Sequence, residues 1–514
     1  MKRRAGVLLP VFSLPSKYGI GCFDDAAYAF VDWLADARQT YWQILPLTAP
    51  VDGVSPYTCC SAFAGNPYFI DLGAFVKEGS LTDEECRACQ GDDPKRIDYT
   101  KLQTHRMALL HKAYEYAKAH DDARYAISKP TFKAFVTSNT WIKDYALFNV
   151  IKDSLDGERL PNWPDDLRLR DITALNEREA ALSDEMTFYY FIQYVFQDQW
   201  HALKHYANDK GIKIIGDIPI YIAENSSDFW VNPELFQTND DKRISCTSGF
   251  PPDAFSKDGQ IWDNPLYDWP VHKQTGFTWW INRMAQAFEI YDIVRIDHFR
   301  GFETYYSIDA KTRNAHTGHW EKGPGMDLFN ALKQSLGDHE ILAEDLGKCT
   351  KEVQELVRQS GFATMRVLQF GFGKVAEDIY LPHNYPDNSV AYTGTHDNET
   401  IMGWYESLDE KSVSMLNEYL CQPDVDLSQP ALQFIGLVMR SSSAYAIIPL
   451  QDWLALGNES RINIPGTVRN NWEWRAEYDY FSAELSQTIS HLSRLTSRTS
   501  DYATEDPTVE KVSD

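Results

Sequence analysis

Asp292-Ile293-Val294-Arg295-Ile296-Asp297 is a short apolar run that ends in a carboxylate. Two later stretches repeat the pattern: Glu340-Ile341-Leu342-Ala343-Glu344-Asp345, and Val390-Ala391-Tyr392-Thr393-Gly394-Thr395-His396-Asp397. A continuous apolar run reads as a strand buried on both faces, as in a parallel sheet. Packing gives no reason to place an acid at the C-terminal end of such a strand. In a barrel of parallel strands, that end is the face where active sites are built.

Eight runs of this kind occur, near Ala5–Pro10, Tyr41–Leu47, Ile212–Ile218, Asp292–Asp297, Ile341–Asp345, Met365–Phe370, Ser389–Thr395 and Ala444–Leu450. Segments with helical amphipathicity separate several of them, including Ala26–Ala37, Gly325–Leu336 and Thr350–Ser360. The alternation predicts an α/β fold of the (β/α)8 TIM-barrel class. Roughly 160 residues separate strands two and three, far more than one crossover helix needs. The chain then divides as follows. Strands one and two lie in 1–71, a mostly helical insertion in 72–199, and strand three in 200–218. A second insertion in 219–283, rich in Pro, Gly, Asn, Trp and Phe, reads as structured loop over the barrel mouth. Strands four to eight and C-terminal helices fill 284–496, and 497–514 is a polar, acidic tail.

The chain has 514 residues, 43% of them hydrophobic, with 74 acidic against 49 basic side chains and a net charge of -25. That balance argues against a nucleic-acid partner, whose phosphates need Lys and Arg. No run approaches the ~20 apolar residues of a membrane span. Eight scattered cysteines and no export signal predict a reduced, cytoplasmic protein. Cys86 and Cys89 form a lone C-x-x-C that reads as structural without a second pair.

Side chains alternate along a strand, so Arg295 and Asp297 share the interior face of the barrel. A guanidinium beside Asp297 is expected to lower its pKa and keep it ionised, as a nucleophile requires. One run later, a glutamate near other carboxylates in a partly apolar pocket is expected to hold its proton, as a general acid must. Strand phase leaves both Glu344 and Asp345 open for that role, and helix capping suits Asp345 better. His396-Asp397-Asn398 follows in a Gly/Thr-rich turn and could grip substrate hydroxyls or cap the turn. Asp217 ends strand three in the same manner. Carboxylates of this kind carry bond cleavage between sugars. The Gly249–Ser256 segment is a candidate lid: Pro251 and Pro252 stiffen it, while Phe250 and Phe255 could cover a sugar or pack into the core.

At these residues the sequence resembles the amylomaltase (disproportionating enzyme) family of 4-α-glucanotransferases, in the α-amylase clan. The resemblance is carried by Arg4–Pro10, Leu14–Gly21, Trp42–Leu47, Ser55-Pro56-Tyr57 and Asn66-Pro67-Tyr68. It continues through Gly216–Tyr221, Pro251–Ser256, Val294–Gly301, Ala343–Gly347, Thr395–Thr400, Asn463–Gly466 and Asn471-Trp472. It implies retaining transfer of α-1,4-glucan segments between maltooligosaccharides, glucose and larger glucans such as starch or glycogen. Asp297 matches the nucleophile, Glu344 the acid/base and Asp397 the third carboxylate. Arg295, Asp217 and His396 match the supporting residues, and Tyr57 an aromatic near them. Asn398, Pro251 and Asp253, within the matched segments, and Trp262, beside a departure from the pattern, are further substrate-binding candidates. The resemblance implies no cofactor and no obligatory metal. Two departures stand out. Asp263 follows Trp262 where the family usually has Gly, and Asn225 precedes Ser226 where it usually has Asp. A hydrolase of the same clan is the main competing reading. About 65 residues follow strand eight, which is short for the C-terminal β-sandwich expected of such a hydrolase. Donor length and the choice between monomer and homodimer stay open.

Overall fold

Among the described residues, twelve strands form in chain order: β1 (Arg4–Leu8), β2 (Tyr41–Gln43), β3 (Lys213–Ile218), β4 (Cys246–Phe250), β5 (Gln260–Pro265), β6 (Ile293–Ile296), β7 (Thr304–Asp309), β8 (His319–Lys322), β9 (Ile341–Ala343), β10 (Ala363–Val367), β11 (Ser389–Tyr392) and β12 (Tyr445–Pro449). The structure is a computed structural model that describes residues 2–51, 53–252, 257–347, 349–372, 377–420 and 429–499. Eight strands close into a parallel barrel in the order β1-β12-β11-β10-β9-β6-β3-β2. They correspond to the eight apolar runs, each one to four residues shorter, and β10 begins two residues before the predicted start.

The barrel interior is layered by the strand period. Ile215, Ile293, Leu342, Val390 and Ile447 fill the lower part with Leu8, Met365 and Tyr445. Two residues further along β3 and β6, the same face carries Asp217 and Arg295, which are register partners. The interior thus turns from apolar to charged toward the C-terminal end. A larger apolar cluster fills the space between the barrel and its helices. Gly216 shows how close that layer lies: a Cβ there would sit 2.1 Å from the Tyr291 ring.

The helical insertion is present, with helices that include Tyr99–Ala119, Pro130–Ser138, Ile142–Ser154 and Ile172–Ala181. The helix Ser183–Asp209 is continuous across the expected 199/200 boundary and delivers the chain into β3. Cys86 and Cys89 are both buried.

The 219–283 excursion departs from expectation. It contains β4 and β5, which join β7 and β8 in an antiparallel sheet of order β5-β4-β7-β8. It also holds the helices Ser227–Val231 and Trp269–Gln274, and the helix Thr278–Ile290 runs across its expected end at 283. Cys246-Thr247-Ser248-Gly249-Phe250 has no apolar run to announce a strand. Its buried Thr247 hydroxyl instead donates to Asn264 O at 3.1 Å across the sheet.

The expected tail also begins too early. Arg498 is buried and donates to the carbonyls of Met439, Arg4, Ser443 and Ser441 at 2.7–3.1 Å. Residues 500–514 lie outside the described residues. Among the described residues no helix is long and apolar enough to cross a membrane.

Candidate active site

Asp297 and Glu344 occupy matching positions on neighbouring strands. Ile296 of β6 pairs with Ala343 of β9, so the next residue on each strand is a carboxylate. Neighbouring strands run ~4.8 Å apart, which puts the two acids side by side at the mouth. Arg295 braces Asp297 from within the barrel. Its side chain is 3% exposed, and its Nη1 donates to Asp217 Oδ2 at 2.5 Å and to Asp297 Oδ1 at 3.1 Å. Glu344 is oriented by backbone donors: His298 N to Oε2 at 2.7 Å and Leu346 N to Oε1 at 3.3 Å. His298 takes a left-handed φ of 50°, so the chain turns sharply just after this N–H.

Across the mouth, Asp397 follows β11. Asn463 Nδ2 donates to its Oδ1 at 2.6 Å, and His396 Nε2 lies 3.3 Å from its Oδ2. Tyr57 links the two halves. Its hydroxyl donates to Asp217 Oδ2 at 2.8 Å and lies 2.9 Å from His396 Nε2. Its ring stacks on His396 at 5.3 Å, with Trp472 tilted against both. Buried Asp452 accepts from Thr393 Oγ1 and Ile401 N, the two ends of the loop that bears His396 and Asp397.

Burial raises the Asp297 carboxyl above the usual carboxylate range, against the pull of Arg295. The expected depression by the guanidinium is therefore outweighed, because desolvation is larger and Asp217 and Asp397 add negative charge. Glu344 is raised further, first by burial and then by Asp297. Asp397 goes the other way. Burial opposes its ionisation, but His396 and the hydrogen bonds from His396 and Asn463 outweigh it, and its pKa falls well below the usual value. Three acids therefore hold three different proton affinities within one site.

Other expected residues make local contacts that the sequence leaves open. Asp345 does not face the mouth: it accepts from Thr364 Oγ1 and from Met365 N at 2.9 Å, on the neighbouring strand. It is not a helix cap either, since Thr350 caps the helix Lys351–Ser360. Asn398 Oδ1 accepts from both Thr395 N and Thr395 Oγ1 at 2.9 Å, so it closes the turn that presents Asp397. Asn225 Oδ1 accepts from Leu160 N at 2.9 Å and ties the helical insertion to the segment after β3. Trp262 is half-buried, with its ring edge-on to His298 at 4.8 Å. Pro251 follows β4, whose Phe250 lies between His298 and Trp320. Asp253 and Phe255, with most of the candidate lid, fall outside the described residues. Sequence alone does not single out Asn463 or His298. Asn463 acts on Asp397 from 66 positions away, and His298 acts through its backbone, so neither has a local signature.

Residues 9–480 match the family model described as 4-alpha-glucanotransferase. The 4-alpha-glucanotransferase of Clostridium butyricum is 44% identical over 493 residues, covering 95% of this chain and 99% of that protein. That of Thermus thermophilus is 40% identical over 508 residues, covering 97% and 99%. The structure superposes on the amylomaltase from Streptococcus agalactiae in complex with acarbose with a TM-score of 0.93 at 37% identity, covering 97% of this chain and 100% of that one. The closed barrel, the three carboxylates at its mouth and similarity along nearly the whole length agree, and the chain belongs to the 4-alpha-glucanotransferase family.

Proposed function

We propose that Asp297, Glu344 and Asp397 divide the work of a retaining 4-α-glucanotransferase. Asp297 attacks the anomeric carbon of an α-1,4-linked glucan while Glu344 protonates the leaving oxygen. The leaving segment departs, and a covalent glycosyl-enzyme forms through an oxocarbenium-like transition state. Glu344, now ionised, takes the proton from the 4-OH of an incoming glucan or glucose, which displaces Asp297 and restores the α configuration. Asp397, fully ionised and fixed by Asn463 and His396, grips hydroxyls of the donor sugar and stabilises the developing positive charge.

The observation that carries this reading is the register match of Asp297 and Glu344 on adjacent strands. A retaining pair needs carboxyl groups ~5–5.5 Å apart, close to the ~4.8 Å strand spacing, whereas an inverting pair needs room for a water between them. The environments also separate the roles. Glu344 keeps a proton for the leaving group, and Arg295 keeps one oxygen of Asp297 supplied with a donor.

Maltooligosaccharides are the natural substrates on this reading, with glucose as the smallest acceptor. The free cysteines among the described residues suit a reducing, cytoplasmic setting. Transfer over hydrolysis requires an acceptor to reach the intermediate before water does. Trp262 and Phe250, grouped around His298 on the Glu344 side, offer apolar faces for that acceptor.

Incubation with maltotriose tests the proposal. Longer and shorter maltosaccharides plus glucose should form at constant reducing ends, and Asp297→Asn should abolish them. Rising reducing ends without longer products would make the protein a hydrolase.

A further inference from the structure

Asp263 and Arg313 lie on the acid/base side of the mouth and take no part in the chemistry above. They form a two-pronged ion pair, with Nη1 to Oδ1 at 2.6 Å and Nη2 to Oδ2 at 2.9 Å. Both residues adopt left-handed backbone, with φ of 60° for Asp263 and 46° for Arg313. That conformation is unfavourable for any residue with a Cβ. Here two such residues face each other through one planar fork.

The pair joins parts of the second sheet that share no ladder. Asp263 lies in β5, the edge strand, and Arg313 in the turn between β7 and β8, with β4 intervening. The two segments also touch nearby: a Cβ on Gly259 would sit 2.7 Å from Ala315 Cβ. Trp262, next to Asp263, sets its ring 4.8 Å from His298, whose backbone N–H holds Glu344. The leaving sugar departs past the general acid, and the acceptor arrives there. Trp262 therefore lies on the acceptor side.

We propose that the Asp263–Arg313 pair is a positioning element for acceptor specificity: it fixes the strand that presents Trp262 and so sets how tightly acceptor glucans bind. The proposal rests on the glucan-transfer reading. Glycine at this position would accept the same φ without strain but would supply no carboxylate.

Asp263→Gly is a clean test because it keeps the backbone conformation and removes only the side chain. Transfer rates are measured with a fixed donor and varied glucose, maltose or maltotriose, for wild type, Asp263→Gly, Arg313→Ala, the double variant and Arg313→Lys. Acceptor KM for maltose and maltotriose should rise about threefold to fivefold, the ceiling for an ion pair whose side chains are half-exposed. Glucose should be affected less, since it does not reach the rim. The kcat at saturating acceptor and the slow hydrolysis of donor should stay unchanged. The double variant should match the singles, and Arg313→Lys should recover part of the loss, because it keeps the charge without the fork. Salt at about 0.5 M should raise the wild-type KM toward that of Asp263→Gly and leave the variant in place. Unchanged acceptor KM in both single variants, additive losses in the double variant, or an equal loss of hydrolysis would overturn the proposal. Absence of transfer by the wild type would overturn the underlying reading, and the proposal with it.

Discussion

The backbone N–H of His298, one residue after Asp297, donates to Glu344 Oε2 at 2.7 Å, so the strand that carries one carboxylate holds the other in place. A backbone donor cannot swing away, and Glu344 keeps its aim as it loses and regains its proton. Glu344→Gln retains an acceptor for this N–H and should fold normally. Its kcat on maltooligosaccharides should fall by ~10²–10⁴, the usual contribution of general acid–base catalysis. An aryl maltoside, whose leaving group needs no proton, should lose far less in the first step. Burst and steady-state rates on the two donors check this; an equal loss on both would remove Glu344 from the acid role.

The pH profile follows from the same pair. Activity needs Asp297 ionised and Glu344 protonated. The rate should rise as pH passes about 6, where Asp297 loses its proton, and fall as pH passes about 8, where Glu344 loses its own. These limbs are properties of the coupled pair rather than of either acid alone. Asp397, held well below its usual range, stays ionised throughout and adds no limb. Measuring kcat/KM across this range tests the assignment, and a rate still flat well above pH 8 would contradict it.

Asn463 donates to Asp397 Oδ1 at 2.6 Å. A hydrogen bond to a charged group contributes ~1.5–3 kcal/mol, so Asn463→Ala should lower kcat/KM about 10- to 150-fold. Thermal stability should change little, because Asp397 is partly open to solvent, with its side chain 40% exposed. Asn463→Asp should be worse, since it sets a second negative charge against Asp397. Paired kinetics and melting curves decide.

Asp345 gives the opposite pattern. Its carboxyl is buried and accepts from Thr364 Oγ1 and Met365 N. Asp345→Ala leaves two buried donors without that partner, at ~1–3 kcal/mol each. The melting temperature should fall by several degrees, while the molecules that stay folded keep their turnover. Loss of turnover without loss of stability would return Asp345 to the catalytic candidates.

The eight barrel strands were legible because a strand covered on both faces must be apolar, and that leaves a mark in one dimension. Asp297 and Glu344 were legible for the converse reason, as acids where packing wants none. The second sheet was not. Thr247 and Ser248 are buried there, and Thr247 finds its partner at Asn264, so the strand is specified by its neighbours rather than by its own composition. The Arg295–Asp297 contact follows from strand alternation, but its electrostatics do not, because the burial that outweighs the guanidinium is a property of the folded barrel. Asp345 and Asn398 could not be told from their neighbours by position. Each sits one residue from a candidate acid and is separated from it only by where the chain turns.

A ring of strands has one seam where its first and last members meet, and here β1 meets β12. Arg498 fastens that seam through the carbonyls of Arg4, Ser441 and Ser443, and Arg4 Nη1 answers by donating to Thr499 O at 3.0 Å. During synthesis, β1 leaves the ribosome 494 residues before Arg498, which secures it. At ~5–20 residues per second, the nascent chain waits on the order of tens of seconds with an open sheet edge. The interval exposes this protein to chaperones and to mispairing with its neighbours.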